Sequence, residues 1–193
     1  MNINSYSSIA LLGTSADPPT NGHKALLIGL SELFPKVITW ASNNPAKEHK
    51  TSLNQRYELL NILVNAIQKP NVELKQELSS KWAIKTLDIA KTFWPHSHLV
   101  LVIGSDLVKD IPKWFKAKSV LRTAQLGIVP RQGWPLEATE LQHLEDMGGR
   151  FNIIPLKIPN TASSNIYSQP VLSQVPSSIV PILRQKNLYG ISE

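Results

Sequence analysis

The chain has no cysteine, which removes disulfides, thiolate-held metal centres and a cysteine nucleophile from consideration. It has no apolar run long enough to cross a bilayer, and its opening stretch, MNINSYSSIALLG, lacks the charged n-region and cleavage pattern of a secretory signal. A cytoplasmic location with no membrane partner is therefore expected. No G-x-G-x-x-G follows the first apolar run and no G-x-x-x-x-G-K-[ST] occurs anywhere, so a dinucleotide dehydrogenase and a P-loop NTPase are both disfavoured. Dense basic blocks, RNP-type aromatic pairs and zinc-finger spacings are missing as well. The net charge of +6 comes from Lys and Arg scattered through PAKEHK, PKWFKAK and LRQK. Such a surface attracts anions, small phosphorylated molecules included, and no nucleic-acid partner is expected.

What is present is an ordinary globular composition, 42% hydrophobic and 18% charged over 193 residues, enough for a full core and read as a single domain with its core over about residues 9 to 189. Strand-like runs at 9 to 13, 36 to 41, 71 to 74, 98 to 104, 125 to 130 and 151 to 158 alternate with helical patterns. The helical segments are GHKALLIGLSELF, LNQRYELLNILVNAI, KWAIKTLDIAKTFW, PKWFKAKSVLRTA and PLEATELQHLEDM. A last one, VPSSIVPILRQKNLY, contains Pro181 as a kink or as its true start. Several strands are unbroken Val/Ile/Leu runs, as in sheets covered on both faces. The alternation predicts an α/β fold, a doubly wound parallel sheet closed by a C-terminal helix. Such sheets bind ligands beyond the carboxyl ends of their strands, where strand order reverses.

The first strand ends in GTSADPPTNGH. Pro18 and Pro19 bar helix propagation and Thr20 is a good N-cap, so a helix is predicted from about Thr20 with His23 in its first turn. Unsatisfied amides and the positive end of the dipole make that turn attractive to phosphate. Gly22 keeps bulk away there, and Gly13 is expected to let a ligand approach the strand end. An imidazole added to this nest can donate to a phosphate oxygen as its charge grows, so the chemistry indicated is phosphoryl or nucleotidyl transfer. His49 has no clear role on sequence alone, and His96, His98 and His143 are expected at the surface.

The TNGH at 20 to 23 resembles the (H/T)xGH motif of a nucleotidyltransferase superfamily with a Rossmann-like fold. More of the chain, from Ile9 to Tyr189, is similar to the bacterial nicotinate-nucleotide adenylyltransferases: GTSADPPTNGH, NNPAKEHK with NQRYELL, IGSDLVKDIPKWFKAKSVL, IVPRQGWPL, NTASSNIYSQ and the closing VPSSIVPILRQKNLY occur in the family's order. The resemblance implies transfer of AMP from ATP to nicotinate mononucleotide in NAD synthesis, with Mg²⁺ arriving on ATP and no metal held by the protein itself.

It further implies that His23, Thr20 and Lys50 carry the chemistry, and that Gly13, Thr14, Ser15, Gly22, Gly104, Asp106, Ser163 and Ser164 bind ATP. Trp114 and Lys85 would lie by the acceptor nucleotide. The family's late helix continues Ser-Ser-Thr and ends in Arg, where this chain has Asn165 and Ser168; Arg131 and Arg184 are the candidates to replace that guanidinium. Ala83, Lys85 and Ala16 also depart from the family pattern, which bears on the acceptor more than on the reaction. The alternatives are a related adenylyltransferase acting on nicotinamide mononucleotide or phosphopantetheine, and a nucleotide-binding protein without catalysis.

Overall fold

The computed structural model describes residues 8–44, 47–159 and 172–191. Six strands form one sheet: β1 (Ser8–Thr14), β2 (Lys36–Ala41), β3 (Val72–Leu74), β4 (His98–Gly104), β5 (Gln125–Val129) and β6 (Phe151–Ile153). Every pairing is parallel and the spatial order is β3-β2-β1-β4-β5-β6. The order reverses between β1 and β4, so the ends of these two strands frame the crevice of a doubly wound, Rossmann-like sheet.

Helices α1 (Asn21–Leu33) and α2 (Leu53–Ile67) cover one face. Helices α3 (Ala83–Phe93), α4 (Ala117–Thr123) and α5 (Ala138–Asp146) cover the other. The short C-terminal α6 (Val180–Gln185) joins α1 and α2 on the first face. Both faces of β1 and β4 are therefore buried, which is why IALL and LVLVI read as continuous apolar runs instead of alternating. Among the described residues no helix is long and apolar enough to cross a membrane.

Local chemistry sets the element boundaries. Ser52 caps α2 through a capping box, its hydroxyl taking the Gln55 N–H at 3.2 Å while Gln55 Oε1 takes the Ser52 N–H at 3.0 Å. Pro181 stands in the first turn of α6, so it marks a start and not a kink. Two expectations shorten. The strand anticipated over 151 to 158 ends at Ile153, because Pro155 brings no N–H to continue the ladder. The helix anticipated from Pro112 begins at Ala117, since Ser105–Lys113 winds as a 3₁₀ segment containing Pro112. Beyond β3, Gln76 extends the sheet with its side chain: the amide gives and takes hydrogen bonds with the Ala41 backbone at 2.9 and 3.0 Å.

Candidate active site

The helix facing the crevice starts where the loop chemistry predicts. Thr20 is the extended N-cap of α1 and His23 occupies the third helical position. The pair is turned inward on itself. The Thr20 backbone N–H donates to His23 Nδ1 at 2.9 Å, and Thr20 Oγ1 lies 2.8 Å from the same nitrogen. A backbone N–H can only donate, so Nδ1 is the bare nitrogen and the ring proton sits on Nε2. This is a capping box with histidine in the place usually held by Glu or Gln.

Thr20 is fully buried. It holds the imidazole, and His23 presents the remaining N–H. The His23 pKa is lowered to about 4, first by burial and then by the positive charges of Arg131 and Lys47. At neutral pH the ring is therefore uncharged and a hydrogen-bond donor.

Arg131 arrives from the end of β5. Its guanidinium Nη1 lies 2.9 Å from Asp106 Oδ2, and its backbone N–H donates to Ser105 Oγ at 2.9 Å. Ser105 Oγ in turn donates to the Trp134 carbonyl at 2.7 Å, so the buried Ser105 ties the β4 and β5 ends together. Gly104 makes this possible: a Cβ there would collide with Asp106 Oδ1 and stand 2.6 Å from Arg131 Cδ. Asp106 Oδ1 is buried with no hydrogen-bond partner among the described residues. A carboxylate oxygen in that condition fits a ribose hydroxyl or the water shell of a divalent ion. Groups of three or more His, Cys, Asp or Glu able to hold a metal are absent among the described residues.

Two buried polar residues that sequence reasoning did not single out shape the loops. Asp17 accepts the Lys50 N–H at 2.7 Å, the Thr51 hydroxyl at 2.8 Å and the Tyr189 hydroxyl at 2.5 Å, and lies 3.5 Å from His49 Nδ1. Arg56 reaches from α2 to the carbonyls of Ser15 and Ser42 at 3.0 and 2.7 Å. The signal for Arg56 was its place at an apolar-face position of LNQRYELL, one turn from Leu53 and Leu60. A charge in such a position is rarely solvated. His49 has its pKa lowered, mainly by burial and then by Arg56.

The remaining expected residues are distributed as follows. Gly22 is buried in the first turn of α1. The Thr14 carbonyl takes the Ser42 N–H at 2.7 Å and that of Ser15 takes a hydrogen bond from Arg56, so both carbonyls are committed within the fold. Gly13 packs against Trp40, whose Cζ2 would be 2.7 Å from a Cβ at position 13. Lys50 is exposed, while Lys47 is the lysine whose charge His23 feels. Trp114 is half-buried against the core, and the ring on the surface is its neighbour Phe115, tilted against Trp82 with centroids 5.0 Å apart. Lys85 faces solvent 3.8 Å from Asp88. Of the two arginine candidates, Arg131 stands at the crevice and Arg184 is exposed on α6. Ser163, Ser164, Asn165 and Ser168 lie outside the described residues.

A cytidylyltransferase-like family model matches residues 11–169. A Synechocystis protein named "probable nicotinate-nucleotide adenylyltransferase" is 34% identical, over 94% of this chain and 98% of its own. The Bacillus subtilis nicotinate-nucleotide adenylyltransferase is 29% identical over 67% of this chain and 72% of its own. In structure, the chain is similar to a Plasmodium falciparum nicotinic acid mononucleotide adenylyltransferase complexed with NaAD, with a TM-score of 0.80 at 18% identity, covering 97% of this chain and 99% of that one.

Proposed function

Because the chain belongs to the nicotinate-nucleotide adenylyltransferases within the cytidylyltransferase-like family, we propose that it transfers AMP from ATP to nicotinate mononucleotide, forming deamido-NAD and pyrophosphate, as one nucleotidyltransferase unit in the cytoplasm. The observation that carries this reading is the neutral, donor-only face of His23 at the opening of α1, beside Arg131 at the strand-order reversal.

The acceptor's 5′-phosphate oxygen attacks the α-phosphorus in line, the bond from that phosphorus to the bridging oxygen breaks, and the electron pair leaves with pyrophosphate. The nucleophile is already anionic, so no general base is needed and rate comes from positioning and charge stabilisation. His23 donates Nε2–H to the α-phosphate oxygens as their charge builds, with Nδ1 held by Thr20 so that the ring cannot turn away. Arg131 adds one cation, Lys47 and Lys50 add others from the 47–51 loop, and the first-turn amides of α1 add the helix dipole. Asp106 offers its unpartnered Oδ1 to a ribose hydroxyl or to water on a divalent ion. A divalent ion such as Mg²⁺, bound with ATP, would add charge neutralisation at the leaving pyrophosphate. Ser163 and Ser164 are assigned to the ATP phosphates on the family resemblance alone, and Trp114 and Lys85 to the acceptor side.

The test is pyrophosphate release from ATP with nicotinate mononucleotide, nicotinamide mononucleotide and phosphopantetheine in parallel. Turnover is expected with the first, and His23→Ala should lower it by about 10²-fold or more while the fold persists. Turnover with another acceptor alone reassigns the substrate; none with any acceptor removes catalysis from the reading.

A further inference from the structure

The C-terminal turn reaches back to the loop in front of α1 by a contact spanning nearly the whole chain. Tyr189 donates its hydroxyl to Asp17 Oδ1 at 2.5 Å, across 172 residues of sequence. The same hydroxyl lies 3.0 Å from Thr51 Oγ1. Asp17 is almost wholly buried, and its other oxygen takes the Lys50 N–H. One carboxylate thus joins the β1–α1 loop, the 47–51 loop and the C-terminus.

The backbone on both sides of this junction is strained. Tyr189 sits at φ 57°, and Ala16, next to Asp17, at φ 47°. Asn187 at φ 48° and Gly190 at φ 71° complete the bend that turns the Tyr189 ring inward. A bulky residue in the left-handed region is an outlier that persists only where surrounding contacts over-determine it. Asp17 is three residues ahead of the N-cap that holds His23, and the 47–51 loop carries Lys47 and Lys50.

We propose that Tyr189 is a positioning residue for the transfer reaction: by tethering Asp17 it holds the β1–α1 and 47–51 loops in the arrangement that aims His23 and the loop lysines at the triphosphate. The proposal rests on the adenylyltransferase reading above. In this role Tyr189 acts through Asp17 and not on the substrate. Its loss leaves both loops sampling unaimed arrangements, and the apparent affinity for ATP falls by the fraction of time they are correctly placed.

The test uses Tyr189→Phe, which keeps the ring that packs on the core beside α2 and removes only the hydroxyl. The expected result is an ATP KM raised about tenfold with kcat within about twofold, the scale of one lost hydrogen bond to a charged group. In the free protein the His23 side-chain ¹⁵N resonances should shift or broaden. Thr51→Val, which removes a second donor from the same carboxylate, should also raise the KM, and the double variant should be less than additive. A wild type that turns over ATP with Tyr189→Phe matching it in KM and in the His23 resonances overturns the proposal. So does a loss of thermal stability with both of those readouts unmoved. A wild type inactive with every acceptor overturns the adenylyltransferase reading instead, and the His23 resonances then still decide the tether.

Discussion

The protonation of His23 has a measurable consequence for stability. In the folded protein the ring binds its proton near pH 4 because burial, Arg131 and Lys47 all oppose the cation; unfolded, it does so near 6.5. Between those values the unfolded chain binds more protons than the folded one. Stability from this group is thus fully present above pH 6.5 and is lost as pH falls towards 4. Integrated, the loss is about 2.5 kcal/mol at pH 4.5 and about 3 kcal/mol in full, against about 0.2 kcal/mol at pH 7. His49 shifts in the same direction, so a single pH series would mix the two.

Substituting His23→Gln separates them, since Gln is an accepted residue at this capping position and does not titrate. Urea unfolding of both proteins at pH 7 and pH 4.5 should show the wild type losing about 2.5 kcal/mol more than the variant. Nitrogen chemical shifts should report the Nε2–H tautomer at pH 7, and a non-hydrolysable ATP analogue should raise the ring's pKa, because phosphate anions beside it favour the cation. Equal pH dependence in the two proteins, or a free-protein midpoint near 6.5, refutes the account of a buried neutral donor.

Two glycines separate structural from catalytic roles. Gly104→Ala forces a methyl into the Asp106–Arg131 pair, and kcat/KM should fall by about 10² through misplacement of Arg131 while the circular dichroism spectrum is retained; wild-type kinetics would show the pair to be dispensable. Gly13→Ala puts a Cβ 2.7 Å from Trp40 Cζ2 and should cost about 1–3 kcal/mol in urea unfolding, relieved by Trp40→Leu. If Gly13 instead served ligand approach, stability would hold, the ATP KM would rise, and Trp40→Leu would rescue nothing.

Legibility in the sequence follows the range of the interaction. The sheet and its crevice could be read because each strand is a local apolar run and each crossover helix carries its own period, as IALLG, LVLVI and LNQRYELL show. The Thr20–His23 pair could be read because its members lie one helical turn apart and a proline pair fixes where the helix starts. The orientation of that pair could not: spacing puts two side chains on one face but does not say that they bond each other, and the difference decides which of them meets a phosphate.

Interactions between elements were hidden for a different reason. The packing of Gly13 against Trp40 shows only once the register sets the two side by side on neighbouring strands. Arg131 and Arg184 are equal candidates until strand order puts the β5 end beside β4, where Arg131 meets Asp106, while Arg184 is exposed on α6. Asp17 and Arg56 illustrate the general case. Each is a buried charge whose partners include backbone groups at Ser15, Ser42 and Lys50, which no residue identity encodes. Sequence therefore discloses the groups that do the chemistry more readily than the groups that hold them still. In the proposed mechanism, which uses no general base and depends on where a donor points, the holding groups are the ones through which activity is most open to loss at a distance.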